Sequence, residues 1–193
     1  MKIIELKYVN VKNIVGEIKK GKVIVFPTDT IYGLICDAGN KRAVRKIFKI
    51  KKRSLLKPLS VFIKDFKAAR KIAVIDKKQE KILKPMWPGK LIAVLKAKKK
   101  FSQSIVCEFG KIGLRIPNYK LLHGILSEFK KPLAQTSANV SREPVSNKIK
   151  DISRQFRNKK NQPDLVIDAG NLKKSKPSKV IDLTGDTPKI LRK

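Results

Sequence analysis

Several short motifs place hydroxyl, amide and basic side chains next to apolar runs of the sequence. They are PTDTIYGL at 27–34, KKR at 51–53 with KPL at 57–59, WPG at 87–89, RIP at 115–117 and TSANVS at 136–141. A polar segment that follows an apolar run is typical of a strand end that presents side chains to a ligand. In open α/β sheets, ligands bind beyond the strand ends. The motifs are therefore candidates for a binding site.

A bound nucleotide would be held here by side chains and strand-end amides. The sequence contains neither GxxxxGK[ST] nor GxGxxG, the glycine-rich patterns that bind phosphates through backbone amides. Arg53 offers a planar fork for phosphate oxygens, and Lys51 and Lys57 offer point charges. This signal is weak alone, because basic residues are so frequent in the chain that such triplets arise by chance.

Two polar turns and one aromatic turn each have a functional and a structural interpretation. The hydroxyls and amide of 136–141 could donate to phosphate or ribose oxygens, or could form a turn and an N-cap. In the turn at 28–30, Thr30, together with Tyr32, could contact a small polar ligand; the alternative is an Asx-type turn. Trp87 is predicted to lie in a rigid turn with its indole on the core, and it could also line a pocket.

The charge of the chain is strongly positive. Lys and Arg number 47 against 15 Asp and Glu, which gives a formal net charge of +32. A field of this sign attracts polyanions and speeds their encounter, so RNA, a nucleoside triphosphate or both are expected partners. The alternative is a lysine-rich composition without a specific role, since lysine is spread along the whole sequence.

Length, composition and cysteine content exclude several classes of protein. The 193 residues are 41% apolar, which predicts one packed domain over 1–193. No apolar run approaches the roughly 20 residues of a membrane helix, and the N-terminus is too charged for a secretion signal. Cys36 and Cys107 lie far apart, which indicates a reducing cytoplasm and neither a disulfide scaffold nor a zinc site. The single histidine, His123, lies in a helical pattern, which argues against a Ser-His-Asp triad.

The apolar pattern predicts alternating strands and helices. Predicted strands cover 3–6, 22–26, 59–63, 91–97, 112–116, 133–135, 165–168, 180–183 and 189–191. Predicted helices cover 11–20, 41–51, 65–73, 76–83, 118–129 and 147–156. Gly21 is expected to cap the first helix at its C-terminus, and Asn118 to cap the fifth at its N-terminus. The class is α/β with a mixed sheet, since the last strands lack intervening helices. The loop at 169–177 is the best candidate for a mobile segment.

The order and spacing of these motifs resemble the YrdC-like family of threonylcarbamoyl-AMP synthases. SKVIDL at 178–183 and ILR at 190–192 are similar to that family's last two strands, so the resemblance covers nearly the whole chain. It implies a single-domain YrdC-like fold, a twisted mixed parallel and antiparallel sheet flanked by helices, with a basic concave pocket. It also implies a nucleotidyltransferase that converts L-threonine, bicarbonate and ATP into threonylcarbamoyl-AMP and pyrophosphate. The threonylcarbamoyl group then passes to tRNA with the help of partner proteins.

The resemblance also assigns site residues by position. Its KxR…SxN signature gives catalytic and ATP-binding roles to Lys51, Arg53, Ser137 and Asn139. Two further ATP-binding positions fall on Lys57 and Arg192. The L-threonine-binding positions fall on Thr30, Arg115 and Ser178. Arg115 is expected to grip the carboxylate of threonine. Mg²⁺ would be held mainly through the ATP phosphates, and no protein metal ligand is assigned.

Three positions depart from the family pattern. Ile92 stands where threonine is usual, which removes one possible ATP contact, and Lys179 also replaces a usual threonine. Arg142 replaces a usual glycine and would be strained if φ were positive there. Two alternatives stay open: a basic RNA-binding module of the same fold without adenylation activity, and a transferase domain that uses carbamoyl-adenylate.

Overall fold

The computed structural model of the chain describes residues 1–98, 105 and 110–193; the predicted role of Cys107 falls outside the described residues. The strands are β1 (Lys2–Glu5), β2 (Ile24–Phe26), β3 (Gly33–Asp37), β4 (Ser60–Phe62), β5 (Leu91–Lys96), β6 (Lys111–Arg115), β7 (Leu133–Ser137), β8 (Leu165–Asp168), β9 (Lys179–Asp182) and β10 (Lys189–Arg192). The helices are α1 (Val11–Lys19), α2 (Lys41–Lys51), α3 (Phe66–Ile72), α4 (Lys77–Leu83), α5 (Lys120–Phe129) and α6 (Ile149–Phe156).

The ten described strands form one sheet in the order β1-β8-β2-β3-β7-β4-β6-β5-β9-β10. Four neighbouring pairs are parallel: β1 with β8, β2 with β8, β4 with β6, and β5 with β9. The other pairs are antiparallel. The predicted α/β class with a mixed sheet flanked by helices is therefore confirmed. No helix in the described part of the chain is long and apolar enough to span a bilayer.

Helix boundaries follow local capping chemistry. Side-chain oxygens of Asn40, Asp65 and Asp76 accept hydrogen bonds from backbone N–H groups in the first turns of α2, α3 and α4. Gly21 adopts φ +77° just after α1, and its N–H donates to the carbonyl of Ile18, which confirms the predicted glycine cap.

Two predictions of local structure were wrong. The helix α5 begins at Lys120 rather than Asn118, and no side chain caps it. The backbone N–H of Asn118 donates instead to the carboxylate of Asp29, 3.2 Å away, so this residue belongs to a tertiary contact. The strand β3 was missed, although it pairs with β2 on one side and β7 on the other.

The helices cover the two faces of the sheet unequally. On one face, α2, α3, α4 and α6 pack in an apolar cluster that includes Ile47 and Ile152. On the other face, α1 and α5 pack through Ile18 and Leu122 onto strands β2, β3, β4, β7 and β8. The side chains of β5, β6 and β9 on this second face belong to neither cluster. They form an open floor beside the helices.

The indole of Trp87 packs in the first cluster, as predicted. It is 4% exposed, and its Nε1–H donates to the carbonyl of Leu91 at 2.9 Å. His123 is exposed on α5, as expected for a histidine without a catalytic role.

Residues 169–178 connect β8 to β9 and are called the strap below. The strap joins the second strand of the sheet to the ninth. The hydroxyl of Tyr32 accepts from the N–H of Ala169 and donates to the carbonyl of Gly170. Further along, the backbone N–H of Leu172 donates to the carbonyl of Asn147 at 2.9 Å. The strap is thus attached to the body of the protein along its course.

Candidate active site

A cavity of about 480 Å³ opens over the part of the sheet that α1 and α5 leave uncovered. Strand register places Phe62 beside Arg115 and Ile92 beside Val180, so β4, β6, β5 and β9 supply its floor. Its polar lining consists of Thr28, Thr30, Arg53, Ser60, Lys111, Arg115, Gln135, Thr136, Ser137, Ser178, Asp182 and Arg192. A concave site with convergent polar groups over a partly apolar floor is the usual form of a small-molecule site.

Arg115 is the most deeply buried cation of this lining. Only 2% of the residue is exposed, and its Nη2 lies 2.5 Å from the carboxylate of Asp29. Its Nε donates to the carbonyl of Gly89 and its Nη1 to the hydroxyl of Thr30. Burial lowers the pKa of Arg115, whereas Asp29 opposes this shift. These contacts occupy three of the five guanidinium N–H groups, so two donors have no acceptor in the described part of the chain and stay available to a ligand.

The turn between β2 and β3 fixes the direction of the Thr30 hydroxyl. Thr28 Oγ1 donates its proton to the carbonyl of Ile31 at 2.7 Å, so it can only accept from Thr30 Oγ1 at 3.0 Å. Because Arg115 also donates to Thr30, one lone pair of the Thr30 oxygen is left for a ligand. This end of the cavity therefore offers guanidinium donors beside a hydroxyl acceptor.

Tyr32 has a structural use in this arrangement. It is 1% exposed, and its hydroxyl is occupied by the strap. Burial raises the pKa of Tyr32 to about 12, so the phenol stays neutral and holds the strap through two hydrogen bonds. The ring lines the cavity while the hydroxyl is engaged.

The turn that follows β7 is organised by Asn139. Ser137 Oγ donates to Asn139 Oδ1 at 2.6 Å, and the amide nitrogen of Asn139 donates to the carbonyls of Val140 and Glu143. Lys51 Nζ donates to Asn139 Oδ1 and to the carbonyls of Ser137 and Asn139, all within 2.8 Å. Burial, and secondarily the charge of Arg53, lowers the pKa of Lys51 to about 7. Three oxygen acceptors require three N–H donors, which only the ammonium form provides.

Arg53 points from the end of α2 toward the cavity. Its Nε donates to the carbonyl of Lys57 at 2.7 Å, and its Nη2 donates to the carbonyl of Pro58 at 3.2 Å. Burial lowers the pKa of Arg53, and the charge of Arg192 adds to this effect. No carboxylate within the described ranges lies within ion-pair distance of Arg53. The side chain of Lys57 itself is exposed.

Positive charge dominates the rest of the lining. Arg192 Nε donates to the carbonyl of Ser178 at 2.9 Å, which joins β10 to the end of the strap. The ion pair of Lys111 with Asp182, at 2.9 Å, is neutral as a whole. Of Arg53, Arg115 and Arg192, which line the cavity, only Arg115 has a carboxylate partner among the described residues, namely Asp29. An anionic ligand would complete this balance.

One wall of the cavity is apolar. Ile92, Val94, Val180 and Leu191 contribute side chains there. Gly113 lies in the same wall, and a Cβ at this position would lie 3.2 Å from Ile92 Cγ2. The absence of a side chain at 113 therefore leaves room for isoleucine at 92.

Comparison with known proteins identifies the family to which the chain belongs. The family model for Sua5, YciO and YrdC, which carries the description "Telomere recombination", matches residues 17–193. The chain belongs to the Sua5/YciO/YrdC family. The membership of the YrdC-like family that the motifs predicted is therefore confirmed.

The sequences of relatives align with almost the whole chain. A Methanocaldococcus jannaschii relative is 34% identical over 190 residues, covering 96% of this chain and 88% of the relative. A threonylcarbamoyl-AMP synthase of Pyrococcus abyssi is 32% identical over 178 residues, covering 92% of this chain. The chain spans about half of that protein, 52% of its length. The crystal structure of P. abyssi Sua5 complexed with L-threonine superposes on 100% of this chain and 57% of that one, with a TM-score of 0.90 and 29% identity.

The cavity of this family member gathers most of the predicted site residues. Those that line it are Thr30, Arg53, Arg115, Ser137, Ser178 and Arg192. Lys51 and Asn139 lie behind the lining, 2% and 7% exposed, with their polar atoms bonded to protein. Lys57 contributes its carbonyl to Arg53, while its side chain is directed to solvent. The functional roles of all nine residues stay predictions.

Sequence reasoning missed the importance of Asp29. Its carboxylate bonds both Arg115 and the N–H of Asn118, which fixes the turn at 28–30 against the RIP motif. A signal was available, because Asp29 directly precedes Thr30, a predicted ligand contact, in the 27–34 motif. Gln135 was also missed; it lines the cavity, and its amide nitrogen donates to the hydroxyl of Ser60.

The three departures from the family pattern have different structural settings. Arg142 does adopt a positive φ, +75°, which is the condition under which strain was expected there. Ile92 lines the apolar wall of the cavity. Lys179 has an exposed side chain, and its backbone N–H donates to the carbonyl of Lys90.

Within the described residues, no group of three or more histidine, cysteine or acidic side chains could hold a metal ion. Asp182, which lines the cavity, pairs with Lys111, and Asp29, which lies beside the cavity residue Arg115, pairs with that arginine. The donor set therefore fits Mg²⁺ only as an ion that arrives on phosphate oxygens.

Proposed function

We propose that this protein is a threonylcarbamoyl-AMP synthase, which converts L-threonine, bicarbonate and ATP into threonylcarbamoyl-AMP and pyrophosphate. One observation carries the proposal: Arg115, with two free N–H groups, shares a single cavity with Arg53 and Arg192. A guanidinium fork suits the carboxylate of an amino acid, and uncompensated arginines suit a triphosphate. The names of the relatives support the same activity.

The amino acid occupies the end of the cavity at Arg115 in this proposal. The two free N–H groups of Arg115 bind the carboxylate of threonine. The hydroxyl oxygen of Thr30 accepts a hydrogen bond from the amine, since its own proton is directed to Thr28. Ser178, which is 4% exposed at the end of the strap, supplies a further hydroxyl to the substrate.

ATP occupies the end of the cavity at Arg53. Arg53 and Arg192 neutralise phosphate oxygens, and Lys57 turns inward to join them. Ser137, which lines the same cavity, contacts the reacting groups. Mg²⁺, carried by the phosphates, supplies additional charge neutralisation when it is bound.

The reaction needs no covalent bond to the protein. The amine of threonine attacks bicarbonate to form a carbamate, and water is released. A carbamate oxygen then attacks the α-phosphorus of ATP, and pyrophosphate leaves. The residues of this chain accelerate the second step by holding the two substrates in line and by neutralising the charge that develops on the leaving group.

The product is proposed to serve tRNA modification. The net charge of +32 favours encounter with tRNA, and partner proteins would transfer the threonylcarbamoyl group to it. We further propose that residues 1–193 form one domain, since the sheet is continuous from β1 to β10, and that the protein works in the cytoplasm.

Pyrophosphate release tests the proposal directly. We expect release only when ATP, threonine and bicarbonate are all present. Serine, which lacks the methyl group, should lose about 1–3 kcal/mol of transition-state stabilisation, and valine, which lacks the hydroxyl, should lose more. Release without threonine would favour the transferase that uses carbamoyl-adenylate. No release, combined with salt-dependent RNA binding, would favour the RNA-binding module.

A further inference from the structure

We propose that Lys51 and Asn139 do not contact substrate and instead act as positioning residues that hold the turn 137–143 in place. This turn brings Ser137 to the cavity. The catalytic consequence rests on the proposed function, whereas the structural part of the inference does not. It divides the four residues of the KxR…SxN signature into two that line the cavity and two that support it.

The ammonium of Lys51 is fully used by protein oxygens. Its three acceptors are the carbonyls of Ser137 and Asn139, each 2.6 Å away, and Asn139 Oδ1 at 2.8 Å. An ammonium group has three N–H donors, so none is left for a phosphate. The residue is 2% exposed and does not line the cavity. A phosphate contact would require this buried network to break.

Asn139 is saturated in the same way. Its Oδ1 accepts from Lys51 and from Ser137, and its amide nitrogen donates to the carbonyls of Val140 and Glu143. Each of its polar atoms therefore has two partners, and the residue is 7% exposed. Its four contacts all lie in α2 or in the turn itself.

The backbone of Lys51 reinforces the side chain. Its carbonyl accepts from the N–H of Ser141 at 2.8 Å, so one residue at the end of α2 holds both the beginning and the end of 137–141. The N–H of Ala138 donates to the carbonyl of Tyr32, which ties the turn to the residue just before β3. The proton of Ser137 Oγ is thereby directed at Asn139, and its oxygen faces the cavity as an acceptor.

Arg53 differs from Lys51 in each of these respects. The residue between them, Lys52, adopts φ +49°, which ends α2 and turns the chain. Arg53 lines the cavity, and its two contacts are carbonyls of its own loop. Three of its five N–H groups have no acceptor among the described residues, so Arg53 retains donors for a ligand.

Amide hydrogen exchange in the ligand-free protein separates positioning from contact. We expect Lys51→Met to raise the exchange rates of the Ala138 and Ser141 amides at least about tenfold, since local opening becomes easier. Arg53→Met and Lys49→Met should leave these rates unchanged. Lys49 is a matched control, because it is an exposed lysine in the last turn of the same helix. Unchanged protection of both amides in Lys51→Met would overturn the inference.

Steady-state kinetics add a second readout. Lys51→Met should impair use of threonine and of ATP to a similar extent, whereas Arg53→Met should raise the KM for ATP selectively. A selective effect of Lys51→Met on ATP, equal to that of Arg53→Met, would show direct contact and overturn the inference.

If Lys51→Met does not fold, Asn139→Asp tests the same network, because it keeps the acceptor for Lys51 and removes both amide donors. Its Glu143 amide should then exchange faster, and wild-type exchange there would count against the inference. Lack of pyrophosphate release by the wild-type protein would reject the synthase and leave the exchange result standing.

Discussion

The two ends of the cavity use the same residue type in opposite ways. At one end Arg115 is 2% exposed, paired with Asp29 and bonded to Gly89 and Thr30. At the other end Arg53 is only partly buried and donates to carbonyls of its own loop. The first guanidinium is neutralised before any ligand arrives, and the second is not. Under the proposed function, the end that would bind the amino acid is thus built in advance, whereas the end that would bind the nucleotide is completed by the charge of its ligand.

The difference follows from the cost of burying charge. A deeply buried cation without a partner would be too costly to keep, so Arg115 requires Asp29. Arg53 retains enough solvent contact to stay charged without a carboxylate. A triphosphate can then supply negative charge beside Arg53. Its binding is favoured there because Arg53 has no carboxylate partner among the described residues of the ligand-free protein.

The largest effect is expected for Arg115→Ala. The change removes the carboxylate grip and leaves Asp29 buried without its cation, which should lower the free energy of unfolding by about 3–5 kcal/mol. Threonine-dependent pyrophosphate release should be lost. The control is Lys46→Ala, which removes the more exposed ion pair with Asp164 and should cost at most about 1 kcal/mol. Equal stability of the two variants, measured by urea unfolding, would break the comparison between buried and open arginines.

Arg53→Ala should affect activity without affecting the fold. Loss of one charge-assisted phosphate contact should reduce kcat/KM by about 2–4 kcal/mol of transition-state stabilisation. The free energy of unfolding should change by less than about 0.5 kcal/mol, since no carboxylate loses its partner. Pyrophosphate release within twofold of wild type would remove Arg53 from the nucleotide end.

Asp29→Asn sharpens the same contrast with a change that conserves volume. Arg115 would lose its charge partner and part of its orientation. The KM for threonine should therefore rise by a factor that corresponds to about 1–3 kcal/mol of lost binding free energy. The KM for ATP should stay close to wild type, because Asp29 lies at the amino-acid end. Titration of each substrate at saturating levels of the other gives both constants. An equal rise in both would mean that the two ends are not independent.

The smallest effect is expected for Arg142→Gly, within the turn 137–143. At φ +75° glycine is free of the strain that arginine bears, so the variant should gain about 0.5–1 kcal/mol of stability. Arg142→Ala removes the same charge and keeps the strain, so it should show no gain. Thermal unfolding of the two variants side by side distinguishes backbone strain from loss of charge.

The strongest local patterns predicted the fold well. The helix α2 was predicted with both ends correct, because its apolar face is regular and the chain turns sharply at Lys52. The strand β3 was missed because Leu34, Ile35 and Cys36 are all buried in mid-sheet, so the alternation that marks a strand is absent. The cap at Asn118 failed because a distant carboxylate competes for its backbone. Local sequence cannot report such a competition.

The candidate site shows a similar division. Motif order identified residues that do line one cavity, such as Arg53 and Arg115, since each motif sits at the end of a strand or helix. Pairing of Arg115 with Asp29 joins positions 86 residues apart and depends on how the turn at 28–30 folds over the sheet. The burial of Lys51 likewise depends on which way the chain leaves α2. Residue type and spacing predict neither the Arg115–Asp29 pair nor the burial of Lys51.

The strap also limits how far two strands of the sheet can move apart. Its ten residues, 169–178, bridge seven strand-to-strand steps. An extended chain of this length reaches only about 36–40 Å between the flanking Cα atoms. The covalent backbone therefore sets an upper limit on how far the end of β8 and the start of β9 can separate. A bound ligand cannot push these two strands beyond that limit without stretching the chain.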